Sequence, residues 1–250
     1  MIRLYRTILN ISQYISIYRN FHITHDHNNM NIKEAIEGRI STRAFLDKDI
    51  PKETINNLLK TSRWAPSGTN TQPWKVIVVN GDTKQKISDA LLTAVKNKVK
   101  GHADYQYYPE AWVEPFKGRR FQCGMDLYSA LDIGRDDSEK RMEAGLNNFR
   151  FFGAPTSLFF FIDKDMGKGS WVDMGMFIQS VMLAAREYGL GSCPQASVAD
   201  YPDIVREITG VSDQHHLICG LSLGYPDESK PVNQYRTRRE DVDSFTTWLD

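Results

Sequence analysis

The sequence predicts a single layered α+β domain, and three observations carry that prediction. Apolar runs of strand length recur along the chain: WKVIVVN at 74–80, TSLFFFID at 156–163 and HLICGLSLGYP at 216–226. Segments with apolar residues at helical spacing separate them, without the strict strand–helix–strand alternation of a parallel sheet. No Gly-x-Gly-x-x-Gly opens a helix after a strand, so a dinucleotide-binding unit is unsupported. At 250 residues and 41% hydrophobic content the chain can bury one sizeable core. It shows no internal repeat and no linker that would split residues 31–250.

Each element has a local reason. NIKEAIEGR (31–39) is a short helix candidate, followed by the polar ISTRAF. In DKDIPKETINNLLKTSRWA, Pro51 suits a first helical turn, Asp49 and Glu53 complement its N-terminal dipole, and Ile55, Leu58 and Leu59 share a face. The strand WKVIVVN ends at Asn80-Gly81-Asp82, with Asp82 read as the cap of a helix through about residue 98. Residues 101–150 read as a loop-rich, aromatic excursion with short helices, broken by Pro109 and Pro115. Within it, SEKRMEAGLNNFRFFGAP resumes helical spacing and stops at Gly153-Ala154-Pro155. TSLFFFID reads as a strand buried on both faces. SWVDMGMFIQSVMLAAREYGLG follows as a helix with Trp171, Met174, Ile178, Val181 and Ala185 on its apolar face, closed by Gly189; those residues read as core or subunit contact. A short helix near PDIVREITG, the last strand with His215 and His216 at its entry, and a final helix over REDVDSFTTWL complete the chain.

Composition excludes several functions. Lys+Arg 31 against Asp+Glu 31 gives a formal net charge of +0, which argues against a broad nucleic-acid-tracking surface. No apolar run approaches the roughly 18–20 residues of a membrane span. Cys123, Cys193 and Cys219 are far apart and odd in number, which fits a reduced, cytoplasmic setting with the thiols as small buried or half-buried residues. Residues 1–30 stand apart: Arg3, Arg6 and Arg19 precede any acidic residue, as in an organellar address. The favoured reading is an extension outside the domain, because the pattern begins cleanly after Met30. Its His22, His25 and His27 lack the fixed geometry a metal requires, so no metal is expected.

Three polar clusters remain. Gly38-Arg39-Ile40-Ser41-Thr42-Arg43 offers two guanidinium groups and two hydroxyls that can clamp a phosphate, or it is a solvated loop. Tyr235-Arg236-Thr237-Arg238-Arg239 carries the same two readings, and convergence of the two clusters on one anion is coherent. The third, Ala65-Pro-Ser-Gly-Thr-Asn-Thr-Gln-Pro-Trp74, is longer than a turn between helix and strand needs. Taken in order, Arg-x-Ser-x-Arg-x-Phe, APSGTNTQPW, GLGSCP and a C-terminal Arg-x-Arg resemble the FMN-dependent nitroreductase family over about residues 31–245. NNFRFFGAP is similar to its branch of nitrobenzene-type reductases.

The resemblance implies a nitroreductase-like fold, with a central, mostly antiparallel sheet flanked by helices, in an intertwined homodimer with FMN at the subunit interface. It implies that Arg39, Ile40, Ser41 and Arg43 form the N-terminal part of the FMN site, with Arg39 and Ser41 toward phosphate and ribityl chain and Arg43 toward the pyrimidine edge. Arg236 and Arg238 match the residues completing the phosphate site. Asn147 and Arg150 match contacts to the ring, and Pro194, Gln195, Ala196 and Ser197 a segment whose backbone faces flavin N5 and O4. Pro66, Ser67, Asn70 and Gln72 match the arm that reaches the partner's flavin. Two departures stand out: Ile40 replaces a common Arg or His, and Ala196-Ser197 replaces a Glu-Gly of some members. The implied activity is ping-pong electron transfer from NAD(P)H to a small nitroaromatic or quinone, with no side chain needed as acid or base. Arg43 and Arg150 would stabilise negative charge on the reduced ring, and Tyr107, Tyr108, Trp112, Phe116 and Phe121 would form a substrate lid. Competing implications are a relative acting in dehalogenation or flavin breakdown, and a flavin-binding protein without turnover.

Overall fold

The computed structural model describes residues 30–249, so the readings of residues 1–29, their histidines included, lie outside the described residues. The chain divides into a unit of residues 1–32 and one of residues 33–250, and the fold is that of the second. Its helices, in chain order, are α1 (Ile32–Gly38), α2 (Lys52–Ser62), α3 (Gly81–Lys96), α4 (Phe116–Ala130), α5 (Ser138–Leu146), α6 (Lys168–Glu187) and α7 (Pro202–Thr209). The strands are β1 (Trp74–Asn80), β2 (Thr156–Asp163), β3 (Gly191–Gln195) and β4 (His215–Gly224). They form one antiparallel sheet in the order β1-β2-β4-β3.

β2 is central, and Ser157 to Ile162 are fully buried. Alternate side chains of a strand face opposite sides, so β2 serves two cores. Leu158, Phe160 and Ile162 pack with Leu58 of α2 and with Met174, Val181 and Ala185 of α6. Phe159 and Phe161 pack with Ile87 and Leu91 of α3 and Val205 of α7. β4 joins both by breaking its own alternation. Phe160 pairs with Cys219 and Phe161 with Leu217, leaving Ile218 as an extra residue. This bulge reverses the strand's faces: Cys219, Leu221 and Leu223 enter the first core and Leu217 the second. The Tyr105 hydroxyl donates to the Ile218 carbonyl at 2.6 Å, and burial pushes that hydroxyl's pKa well up.

α6 buries Met174, Phe177, Ile178, Val181, Met182 and Ala185, a clean helical stripe. It ends as the sequence predicts, with Gly189 at φ 66°. The Gly189 N–H donates to the Arg186 carbonyl and the Leu190 N–H to that of Ala185, which turns the chain directly into β3.

Several local readings are corrected. Asp82 lies inside α3, which begins at Gly81. Residues 116–130 form a fifteen-residue helix that buries none of its residues in this chain. Helix α5 stops at Leu146, before a turn with Phe151 and Phe152 at positive φ. The C-terminal helix reduces to a three-residue turn, Val242–Ser244. GSCPQ supplies an unforeseen edge strand, β3, and Cys123 is exposed while Cys193 and Cys219 are buried.

The end of β4 is held by a buried ion pair. Asp104 pairs with Arg206 and accepts the Leu217 N–H at 2.7 Å, while Arg206 donates to the His215 carbonyl at 2.7 Å. Removing one partner strands the other charge, so Asp104→Ala is expected to lower the unfolding free energy by about 3–5 kcal/mol in urea denaturation.

Candidate functional site

The polar segment after α1 docks on the sheet edge. The Thr42 N–H donates to the Ser192 carbonyl at 2.9 Å, and Ser41 bridges to Ser192 beside β3. Gly191 permits this approach, since a Cβ there would overlap the Thr42 side chain. Further along, the Leu46 N–H donates to Tyr225 and the Asp227 N–H to Ala44. Asn233 fastens the chain after β4 to the same segment. Its side chain accepts the Arg43 N–H at 2.8 Å and donates to the carbonyls of Ala44 and Asp227.

These backbone bonds bring the two basic clusters, nearly two hundred residues apart in sequence, to one cavity of about 760 Å³. Arg39, Ser41, Arg43, Tyr235, Arg236 and Arg239 line it, with Ile40 and Cys123. Arg43 donates to the Tyr235 hydroxyl at 3.1 Å, and Arg236 to the Glu37 carbonyl at 2.6 Å at the end of α1. Arg186 of α6 donates to the next carbonyl, that of Gly38. Burial, with Arg239, Arg236 and Arg186 nearby, holds the Arg39 pKa below the ordinary arginine value. Among the described residues, none of Arg39, Arg43, Arg236 and Arg239 forms an ion pair with a carboxylate. Glu37 also lines the cavity without pairing to them, and a cluster of four unpaired cations with a serine hydroxyl suits a multiply charged anion. Behind them the Cys193 thiol is buried and pushed up to about 11, chiefly by desolvation, so it is neutral at ordinary pH.

The other expected site residues take different places. Arg238 lines two neighbouring grooves, of about 500 and 340 Å³, instead of this cavity, whereas Arg239 reaches it. Pro194 and Gln195 end β3, the strand that Ser41 joins, and Ala196 and Ser197 begin the turn after it. Gln195 is buried, accepts the Ser222 hydroxyl at 2.7 Å and donates to the Asn148 carbonyl. That bond ties β3 to the turn carrying Asn147 and Arg150, where Arg150 donates to Asn147 Oδ1 at 2.9 Å and pairs with Glu143.

Pro66, Ser67, Asn70 and Gln72 are not among the residues lining the cavity. They form a separate, mostly exposed arm in which Thr69, Asn70 and Gln72 have positive φ. Such backbone costs a non-glycine residue roughly 1–2 kcal/mol, less for asparagine. The arm is held by Gln72 N–H donating to Ser67 Oγ at 3.0 Å and Gly68 N–H donating to the buried Asp173 carboxylate at 3.1 Å.

The profile of the Nitroreductase family matches residues 36–225, from the cavity's first arginines through the sheet. The chain belongs to the nitroreductase family. It is 36% identical to the 4-nitrobenzoate reductase of Pseudomonas putida over 214 residues, 86% of this chain and 93% of that one. It is 32% identical to the nitrobenzene nitroreductase of Ectopseudomonas oleovorans, covering 87% and 96% of the two chains. The structure of the FMN-dependent nitroreductase NfnB from Mycobacterium smegmatis, in complex with NADPH, superposes with a TM-score of 0.83 at 33% identity, covering 87% and 97%. This nitroreductase therefore has the α+β fold its sequence implies. Among its described residues no helix is long and apolar enough to cross a membrane, and none form a metal-binding group of His, Cys, Asp or Glu.

Tyr235, Arg239, Arg186 and Cys123 were not singled out as site residues. The basic run YRTRR signalled the first two; nothing in the sequence signalled Arg186 or Cys123. An anion that binds the folded cluster stabilises it by mass action. Inorganic phosphate at tenfold its dissociation constant should raise the thermal midpoint of cofactor-free protein by about 3–6 °C. The double variant Arg39→Gln/Arg236→Gln should abolish that shift.

Proposed function

We propose that this nitroreductase binds FMN and uses NAD(P)H to reduce small nitroaromatic compounds or quinones. The observation that carries the reading is the convergence of Arg39, Arg43, Arg236 and Arg239, with no carboxylate partner, on one cavity beside β3. Those groups fit a phosphomonoester, and the cavity's volume lies within the ordinary range for small-molecule sites. FMN, when bound, supplies the chemistry: it accepts hydride from the nicotinamide and passes electrons to the acceptor.

The chain's own residues hold and orient. Arg39, Arg236 and Arg239 would neutralise the phosphate and the Ser41 hydroxyl would donate to it, while Arg43, which donates to Tyr235, lines the same cavity. Arg238 completes the positive field from the neighbouring groove. The peptide groups of Pro194 to Ser197 would hold the ring, and the Gln195 bond to Asn148 links them to the turn carrying Asn147 and Arg150, which would contact it as well. Donor and acceptor occupy one place in turn, giving ping-pong kinetics. Tyr107, Tyr108 and Trp112 touch one another in sequence, ring to ring, and Tyr107 and Tyr108 are exposed; they offer an aromatic wall to such substrates. NADPH is the favoured donor, because the Mycobacterium smegmatis relative was crystallised with it. Free cysteines fit a reducing, cytoplasmic setting.

The active form is a homodimer. α6 carries both Asp173, which anchors the arm, and Arg186, which caps α1 at the cavity. Thirteen residues of helix separate them, about 20 Å. Pro66, Ser67, Asn70 and Gln72 do not line their own cavity, and in the proposed dimer they would serve that of the second copy.

Anaerobic mixing tests the activity: NADPH should bleach the yellow protein and 4-nitrobenzoate should restore its colour. Protein that bleaches but is not reoxidised by any nitroarene or quinone would show flavin binding without this turnover. Co-expression tests the shared site. Arg39→Gln/Arg236→Gln and Asn70→Ala/Gln72→Ala should each lose most FMN as homodimers, while the mixed dimer regains one intact site. A site built within one subunit would regain none.

A further inference from the structure

Asp173 is a buried carboxylate in the first half of α6, beside the core residues Met174 and Phe177. A carboxylate removed from water needs hydrogen-bond donors. The donor it has is the backbone N–H of Gly68, at 3.1 Å, where the arm begins its turn. The other hydrogen bonds of residues 66–72 stay within the arm: Asn70 N–H to Ser67, Thr71 N–H to Gly68, and Gln72 to Ser67 and Asn70. Among the described residues, Asp173 is thus the one side chain outside the arm that hydrogen-bonds to it. The arm also carries three left-handed residues, Thr69, Asn70 and Gln72, a conformation that persists only where surrounding bonds impose it.

We propose that Asp173 is a positioning residue for the cofactor. Its charge-assisted bond to Gly68 holds the arm in the strained form that presents Ser67, Asn70 and Gln72 to the flavin of the second subunit. The proposal rests on the FMN reading above. It assigns to the interior of α6 a role in cofactor affinity, although Asp173 touches no cofactor.

Two variants break the bond from opposite sides. Asp173→Ala removes the acceptor, and Asp173→Asn keeps one. Gly68→Pro removes the donor and leaves the α6 sequence unchanged; its ring carbon replaces the hydrogen that faces Asp173 Oδ2, so the bond cannot form and the carboxylate must move aside, while Ser67 before it is already extended at φ −147° and ψ 151°, as a residue before proline should be. Amide hydrogen exchange over residues 66–72 is read in FMN-free full-length protein, and the FMN dissociation constant by fluorescence. Asp173→Ala and Gly68→Pro should each speed exchange and weaken FMN binding about tenfold, while Asp173→Asn stays within about threefold of the parent. If Asp173→Ala does not fold, Gly68→Pro alone decides. FMN affinity within twofold of the parent in Gly68→Pro, or equal damage from Asp173→Asn and Asp173→Ala, overturns the proposal. A parent chain that takes up no FMN overturns the flavin reading itself. A loaded parent matched by both bond-breaking variants overturns the Asp173 assignment alone.

Discussion

Mutual repulsion among guanidinium groups is the constraint around which the site is built. Burial first, and then the charges of Arg239, Arg236 and Arg186, hold the Arg39 pKa below its ordinary value, and burial followed by Arg236 does the same to Arg186. Left to side-chain freedom, such groups would disperse into water. They are instead fixed through backbone. Arg236 and Arg186 donate to consecutive carbonyls, Glu37 and Gly38, at the end of α1, where a helix leaves carbonyls unpaired and its dipole favours cations. A Cβ at Gly38 would displace the Arg186 guanidinium from that residue's carbonyl. The fold thus holds like charges close together, and the phosphate proposed above would offset that cost.

That proximity requires a stiff support, and the sheet supplies it. The segment from Ser41 to Leu46 bonds to β3 at one end and to the chain just after β4 at the other. Neither strand can shift, because the bulge at Ile218 places β4 in both cores at once. A one-residue slip would turn Leu221 and Leu223 toward the wrong side. Packing in the interior and charge at the edge are therefore one problem: the register that buries the leucines also sets where Ser41 and Arg43 stand.

Much of this was legible in the chain itself. Strand β2 announces itself through six consecutive residues that suit burial on both faces, and α6 through its stripe and its closing Gly189. The basic clusters were legible as chemistry, and the order of motifs gave their partnership. What escaped had physical reasons. β3 reads GSCPQ, too short and too polar to show alternation, and its strand character comes from pairing with β4. α4 lacks a buried stripe in this chain, so no apolar period marks it. Arg186 looks like an ordinary charged residue in the last turn of a helix, and only the folding of α1 against that turn gives it a role. Arg238 and Arg239 share one groove, yet only Arg239 also reaches the arginine cavity, a distinction set by local backbone direction and invisible in composition.

The remaining oddity is that the most recognisable stretch of the sequence, APSGTNTQPW, lies outside the arginine-lined cavity. A turn joining α2 to β1 has no need of three left-handed non-glycine residues, and none of the arm's polar side chains fills the core. Strain of this kind is retained where a bond from elsewhere imposes it and where the resulting geometry does something. The bond is present, from a carboxylate that α6 buries for no packing reason. The cavity, for its part, has arginines for a phosphate but takes nothing from the arm in its own chain. The cationic cluster and the strained arm are separate features of one chain, joined by α6, which carries Arg186 at one end and Asp173 in its first half. In the dimer proposed above, a second copy of the chain would bring the two together, and dimerisation would then be part of cofactor recognition.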